Sequence, residues 1–240
     1  LKEQSRLHIL ALDTALMSCG VAVVAGKAIC RRVEPRARGH AERLMPLVGE
    51  VLAEAGLGFT DLDLIAVTTG PGTFTGLRIG LAAAQGLGLA LHIPVVGVTT
   101  LAVTAASAFL ALKPQKGDLL AVFHDARRSE VYGELFELMG WDDDGLPEMR
   151  TLTAAAALPV DQAATLLPAK GWAAGSGVRL LPHPLPDEVA VVADMDHPDP
   201  AVLARLALRA HVTGQAGPAR PVYLRAPDAK LPDTSLSAAP

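Results

Sequence analysis

The sequence predicts an α/β protein. Apolar strands alternate with amphipathic helices along the first hundred residues, a glycine turn joins a buried strand to a long helix, and the pattern restarts after residue 100. With 240 residues, 22 Gly and 18 Pro, the chain is long enough for one large domain or two small ones around an ample core. Its hydrophobic share of 50% excludes disorder, and its two cysteines exclude a disulfide-stapled scaffold.

The first strand is expected over 7–13. A hairpin of strands 18–25 and 28–34, turning at Gly26-Lys27, follows. In that register Cys30 faces Val23 and Cys19 lies several pairs away, so both are expected as reduced thiols. From 41 to 55, Leu44, Leu47, Val48, Val51, Leu52 and Ala55 recur at helical spacing, with Gly56 and Gly58 as the stop and Pro46 placed early. The strand 64–69 leads into the glycine turn, a helix over 76–91 and a strand over 95–98. A helix at 100–112, strands at 118–124 and 129–138, an acidic turn at 141–145 and a last helix at 201–212 complete the pattern. The tail from Gly214, rich in proline, reads as extended or loose. Two unequal halves in similar style are compatible with duplication.

No Asp, Glu, Lys or Arg occurs between Arg78 and Lys113, and the mean hydropathy is +0.33. Gln85, His92, Pro94 and several Gly and Thr interrupt the stretch. It therefore reads as buried α/β core and not as a membrane span. The first residues lack the pattern of a secretory leader, so a cytoplasmic location is expected. The net charge of −4 is spread unevenly: 27–43 is basic and 180–200 acidic. Arg31, Arg32, Arg36 and Arg38 are candidates for nucleic-acid contact, but without interleaved aromatics a solvated face is the plainer expectation.

The turn Gly70-Pro-Gly-Thr-Phe-Thr-Gly76 lies where backbone N–H groups meet phosphates in other α/β proteins. It fits neither a Walker loop, since Leu77 follows Gly76, nor a dinucleotide fingerprint, since Thr75 stands where glycine is needed. Gly76, Gly80, Ala84 and Gly88 fall four apart and give the following helix one face without bulk. Such a face admits a close neighbour, either within the chain or in a partner. The seven histidines show no ligand spacing, and no Ser sits in a nucleophile elbow, Gly175-Ser176-Gly177 being the nearest match. His124-Asp125 with Arg127-Arg128 at a strand end reads equally as catalytic or as a polar corner, whereas Asp13-Thr14 at another strand end could hold a metal or a phosphate-bound water but reads more plainly as a turn former.

The segments ILALDT (9–14), HAERLMPLV (40–48), DLDLIAVTTGPGTFTGLRIG (61–80), IPVVGVTTL (93–101), DARRSEVYGELF (125–136) and PVYLR (221–225) resemble the TsaB family, also called YeaZ. Ala15, Ala41 and Thr73 stand where that family usually has Ser. The resemblance implies an actin-like ASKHA fold, ribonuclease H-like, of two α/β subdomains. The first would take 1–100 plus about 200–216, the second 101–199, and 217–240 would form the tail. It further implies a noncatalytic subunit in the making of N6-threonylcarbamoyladenosine (t6A) in tRNA. Its expected partners are the transferase TsaD, the ATPase TsaE, tRNA through the complex, and a second copy of itself when TsaD is absent. The interface would use Leu44, Leu47, Val48 and Val51 with Gly76, Gly80, Ala84 and Gly88. Asp13, Thr14, Gly70, Gly72 and Thr73 would be a vestigial nucleotide loop. No cofactor or metal is expected on this chain, although a nucleotide at the complex junction is compatible with the resemblance.

Thr100 and Thr104 occupy the positions at which TsaD carries its metal-binding His-x-x-x-His, and hydroxyls replace imidazole poorly toward a transition metal. Ala15 follows Asp13-Thr14 where ATP-using relatives of the fold keep a Gly. These two losses weigh against the rival expectations, a metallopeptidase and an ATP-dependent phosphotransferase.

Overall fold

The computed structural model describes residues 7–225. The first sheet begins with β1 (His8–Asp13), β2 (Ser18–Ala25) and β3 (Ala28–Pro35), an antiparallel meander. Helix α1 (His40–Ala55), strand β4 (Leu64–Thr68), helix α2 (Phe74–Leu91) and strand β5 (Val95–Val98) add two parallel strands on the other side of β1. Helix α3 (Thr100–Leu112) leads to a second sheet. There β6 (Leu119–Arg127), β7 (Glu130–Trp141) and β8 (Pro147–Thr151) again form an antiparallel meander, with β9 (Ala156–Pro159) pairing β7. After the short helix α4 (Val160–Ala163), β10 (Gly171–Ala174) and β11 (Val189–Val192) extend that sheet as strands parallel to β6. Helix α5 (Pro200–Val212) returns to the first sheet, and β12 (Gly217–Pro218) pairs with β5.

The two sheets share one topology. Their orders, β3-β2-β1-β4-β5 and β8-β7-β6-β10-β11, each place a meander beside two parallel strands. The duplication that sequence style left open is plain in the strand order.

The layers follow from which side chains each strand buries. Leu10, Leu12, Val21 and Val23 point to α1 and α2, whereas Ile9, Ala11, Ala22 and Val24 point to α3 and α5, as strand alternation requires. Helix α3 contributes to both sheets: Val103 and Ala106 pack with the first, Leu101, Ala105 and Phe109 with the second. The result is five layers, helices outside and between two sheets, an actin-like α/β arrangement.

Local signals act as expected. Gly56 closes α1 in the left-handed region, its N–H bonding the Ala53 carbonyl while Leu57 N–H reaches the Leu52 carbonyl. The β2–β3 pairing sets Cys30 opposite Val23, and both cysteines are free thiols. Helix α2 starts at Phe74, two residues before its expected start, because the Thr73 hydroxyl caps it by accepting from Gly76 N–H at 3.2 Å. Among the described residues α2 alone has the length and hydropathy of a membrane span, but one face of it is packed on β4 and α1.

Candidate functional site

The carboxyl ends of the parallel strands β1 and β4 meet at the lobe junction, the usual ligand position in α/β sheets. Asp13 ends β1 fully buried. Its Oδ1 accepts from the Thr68 hydroxyl at 2.6 Å and from Ala15 N–H at 3.2 Å. The glycine turn lies directly against the loop after Asp13. Thr73 N–H donates to the Ala15 carbonyl at 2.7 Å, and the Thr14 hydroxyl donates to the Gly76 carbonyl at 2.7 Å. A Cβ on Gly72 would stand 2.3 Å from the Ala15 oxygen, and one on Gly76 would stand 2.0 Å from the Thr14 oxygen. The structure thus brings Asp13, Thr14, Gly70, Gly72 and Thr73 together, but the chain's own backbone fills the space between the two loops. Glycine is used here for close approach within the chain.

Burial raises the Asp13 carboxyl from 3.8 to about 6 against the opposing hydrogen bonds, and raises Glu134 from 4.5 to about 7. The folded state therefore holds these protons more tightly than the unfolded chain. Stability rises as pH falls through about 7 and 6 toward 4 for these two groups. His124 opposes them: burial lowers it from 6.5 to about 3, so stability is lost as pH falls below 6.5. Asp13→Asn keeps an oxygen for Thr68 and Ala15 and offers an amide N–H to the neighbouring Ser18 hydroxyl. We expect it to raise stability at pH 7.5 by about 1–3 kcal/mol and to flatten the rise between pH 6 and 4, read by urea denaturation across pH.

A second polar cluster sits between α3 and the second sheet. Thr104 Oγ1 donates to the Thr100 carbonyl at 3.1 Å and lies 2.8 Å from His124 Nε2, while His124 Nδ1 lies 3.2 Å from Ser176 Oγ. Ser176 Oγ also accepts from Asp125 N–H at 3.2 Å. The structure therefore joins His124 to the Gly175-Ser176-Gly177 turn, which sequence spacing did not connect. With a neutral, fully buried imidazole, this is a bonded internal corner. Among the described residues no three His, Cys, Asp or Glu side chains are grouped so that they could hold a metal ion.

The basic stretch is largely paired. Arg31 bonds Asp199, Arg32 bonds Glu50 and Glu54, and Arg36 and Arg43 share Glu34, with Arg43 also on Glu50. Arg38 is exposed on the loop before α1. Glu34 belongs to the stretch itself, whereas Glu50 and Glu54 come from α1 and Asp199 from the start of α5, which the linear charge count did not set beside the arginines.

The helix faces require a correction. Leu44, Leu47, Val48 and Val51 of α1 are buried against β1, β2 and β4, as is Ala84 of α2. Gly76 and Gly80 face Thr14, and a Cβ on Gly88 would come within 2.3 Å of Val95 Cγ2. All eight residues expected at a partner surface therefore face inward, because the small face lets α2 settle on the sheet. The outward faces hold other residues. Met45, Pro46, Gly49 and Ala53 of α1 are exposed, as are Phe74, Ala82, Gly86, Leu89 and Ala90 of α2, Leu89 with 78% of its surface. Periodicity carried a signal for this: α2 has one charged residue, Arg78, and no polar stripe broad enough for a solvent face.

Residues 33–175 match the family model TsaD: tRNA N6-adenosine threonylcarbamoyltransferase. The structure of YeaZ from Pseudomonas aeruginosa is 33% identical with a TM-score of 0.76, over 91% of this chain and all of that one. The chain belongs to the TsaB (YeaZ) family. An uncharacterised protein of Mycobacterium tuberculosis is 36% identical over 229 residues, 92% of this chain and 93% of that one. The tRNA threonylcarbamoyladenosine biosynthesis protein TsaB of Escherichia coli is 40% identical over 126 residues, 52% of this chain and 53% of its own. The match thus spans about half the length of that TsaB relative.

Proposed function

We propose that this chain is the noncatalytic subunit that binds and activates TsaD for transfer of threonylcarbamoyl from threonylcarbamoyl-adenylate to the N6 of adenosine next to the anticodon, in tRNAs reading ANN codons. The observation that carries the reading is the outward face of α2 beside α1: a sheet-packed helix whose exposed side holds Phe74, Ala82, Gly86, Leu89 and Ala90, with Thr75, Arg78 and Gln85 as its polar positions. As partner we infer TsaD, a paralogue of the same fold, the choice being supported by the match of residues 33–175 to the TsaD family model. Two such folds meeting through equivalent helices form a pseudo-two-fold pair. A second copy of this chain would compete for the same face when TsaD is absent, and TsaE and tRNA would join the pair in the cytoplasm.

A phosphotransferase reading is weaker. Thr73 N–H is taken by the Ala15 carbonyl, Gly76 N–H by the Thr73 hydroxyl, and the space beside Gly72 and Gly76 by the Ala15 and Thr14 carbonyls, which weighs against a phosphate cradle in this conformation. The test is threonylcarbamoyl transfer to tRNA in a mixture of purified components, each omitted in turn. Transfer is expected to fail without this chain and to be absent with this chain as the sole protein. Undiminished transfer on omission would overturn the proposal.

A further inference from the structure

Beyond α5 the chain does not drift away from the fold. After β12 pairs with β5, the Gln85 side-chain amide donates to the Ala219 carbonyl at 2.8 Å. Val222 N–H donates to the Thr69 carbonyl at 2.8 Å, and a Cβ on Gly70 would stand 2.9 Å from the Val222 oxygen. The segment thus passes over the carboxyl end of β4 and the start of the glycine turn. It then crosses to the other lobe. The Tyr223 ring lies 5.3 Å from that of Phe74, its hydroxyl accepts from Arg78 Nε at 3.3 Å, and the Arg78 guanidinium sits 3.7 Å over the Phe74 ring. Leu224 packs on the core between α3 and the second sheet, and Arg225 pairs with Glu130 of β7 and donates to the Arg127 carbonyl.

Seven residues therefore touch both sheets, with hydrogen bonds, an aromatic stack, an apolar anchor and an ion pair distributed along them. Elsewhere the lobes share α3 as a common wall, which fixes one side of the junction and leaves the opening side to loops. On that side, among the described residues, the Tyr132 hydroxyl also reaches the Gly72 carbonyl at 3.5 Å and Arg127 the Met17 sulfur. We propose that residues 219–225 are a strap that sets the angle between the two lobes and seals the carboxyl end of β4, latched at Tyr223 and at Arg225. The inference rests on contacts inside the chain and stands whether or not TsaD is the partner. Because the Tyr223–Phe74–Arg78 stack lies at the start of α2, anything docking on the outward face of that helix would press on the latch.

Hydrogen–deuterium exchange read by mass spectrometry tests this on the full chain and on Tyr223→Ser, Arg225→Ala and the double variant. Peptides holding Thr73 and Thr100, whose N–H groups bond the Ala15 and Gly70 carbonyls, are expected to exchange about tenfold faster in the double variant. Peptides around the β2–β3 turn at Gly26, at the edge of the first sheet away from β5 and β12, should keep their rates. Tyr223→Phe, which removes the Arg78 bond and keeps the ring, should give a rise of about threefold or less. Unchanged exchange at the glycine turn would overturn the strap, as would equal acceleration around Gly26, which would report general loosening. Should the double variant fail to fold, Arg225→Ala alone gives the same reading on the peptide around Tyr132.

Discussion

Gly76→Ala is expected to destabilise the chain by roughly 3 kcal/mol or more, although alanine is the better helix former by about 1 kcal/mol. The added Cβ would stand 2.0 Å from the Thr14 carbonyl oxygen and 2.5 Å from the Thr73 hydroxyl. The first is backbone held by the loop after β1, so relief means moving α2 away from the sheet. Gly86→Ala is the matched control. It lies in the same helix with nothing within 4 Å of its Cβ position, and should gain about 0.5–1 kcal/mol. Ala84→Arg goes further, because it places an unpaired cation among Leu10, Leu44, Val48 and Val67. Burying a charge without a partner costs several kcal/mol, against a typical total stability of about 5–15 kcal/mol. Urea denaturation followed by circular dichroism reads all three. A stable, cooperatively folded Ala84→Arg would contradict the inward assignment of this face.

The opposite outcome is expected one helical face away. Gly86→Arg and Leu89→Asp alter exposed positions: the first should gain up to about 1 kcal/mol, as Gly86→Ala does, and the second lose no more than about 1 kcal/mol, so both stay folded. Association with TsaD, which we place on this surface, should weaken at least about 100-fold, since a charge would be set in the apolar centre of the contact. The pair of results separates the two faces of α2: inward changes unfold, outward changes disconnect. Variants that bind normally with Arg at 86 and Asp at 89 would move the interface elsewhere.

The first lobe was legible because each of its elements carries a strong local cue. The run Leu64–Thr68 between Asp63 and the glycine turn reads as a buried strand, and Gly56 marks the helix stop. The fourfold spacing of Gly76, Gly80, Ala84 and Gly88 announces close approach. It does not say to what, and the resemblance steered that reading toward a partner when β1, β4 and β5 already supply the neighbour. Much of the second lobe was illegible for a different reason. Strands β8, β9, β10 and β11 are four or five residues long and mostly half-exposed, too short for a period to emerge. The strap was hidden by its prolines. Pro218 and Pro221 favour an extended path without ladder donors, and what orders that path is a set of contacts with residues far away in sequence: Thr69, Phe74, Gln85 and Glu130.

The charge pattern misled in the same manner. Arg31, Arg32 and Arg36 look like a basic run in one dimension, but Asp199, Glu50, Glu54 and Glu34 meet them in three. Exposed pairs of this kind contribute about 0–1 kcal/mol each. Their effect here is to reduce the positive field that nucleic acid would feel.

The central claim is that the outward faces of α1 and α2 seat a paralogue. Light scattering on size-exclusion fractions of this chain mixed with TsaD from the same source tests it most directly, with Gly86→Arg run beside the parent. A one-to-one complex is expected for the parent and two separate proteins for Gly86→Arg. No complex with the parent, or the same complex with both, would contradict it.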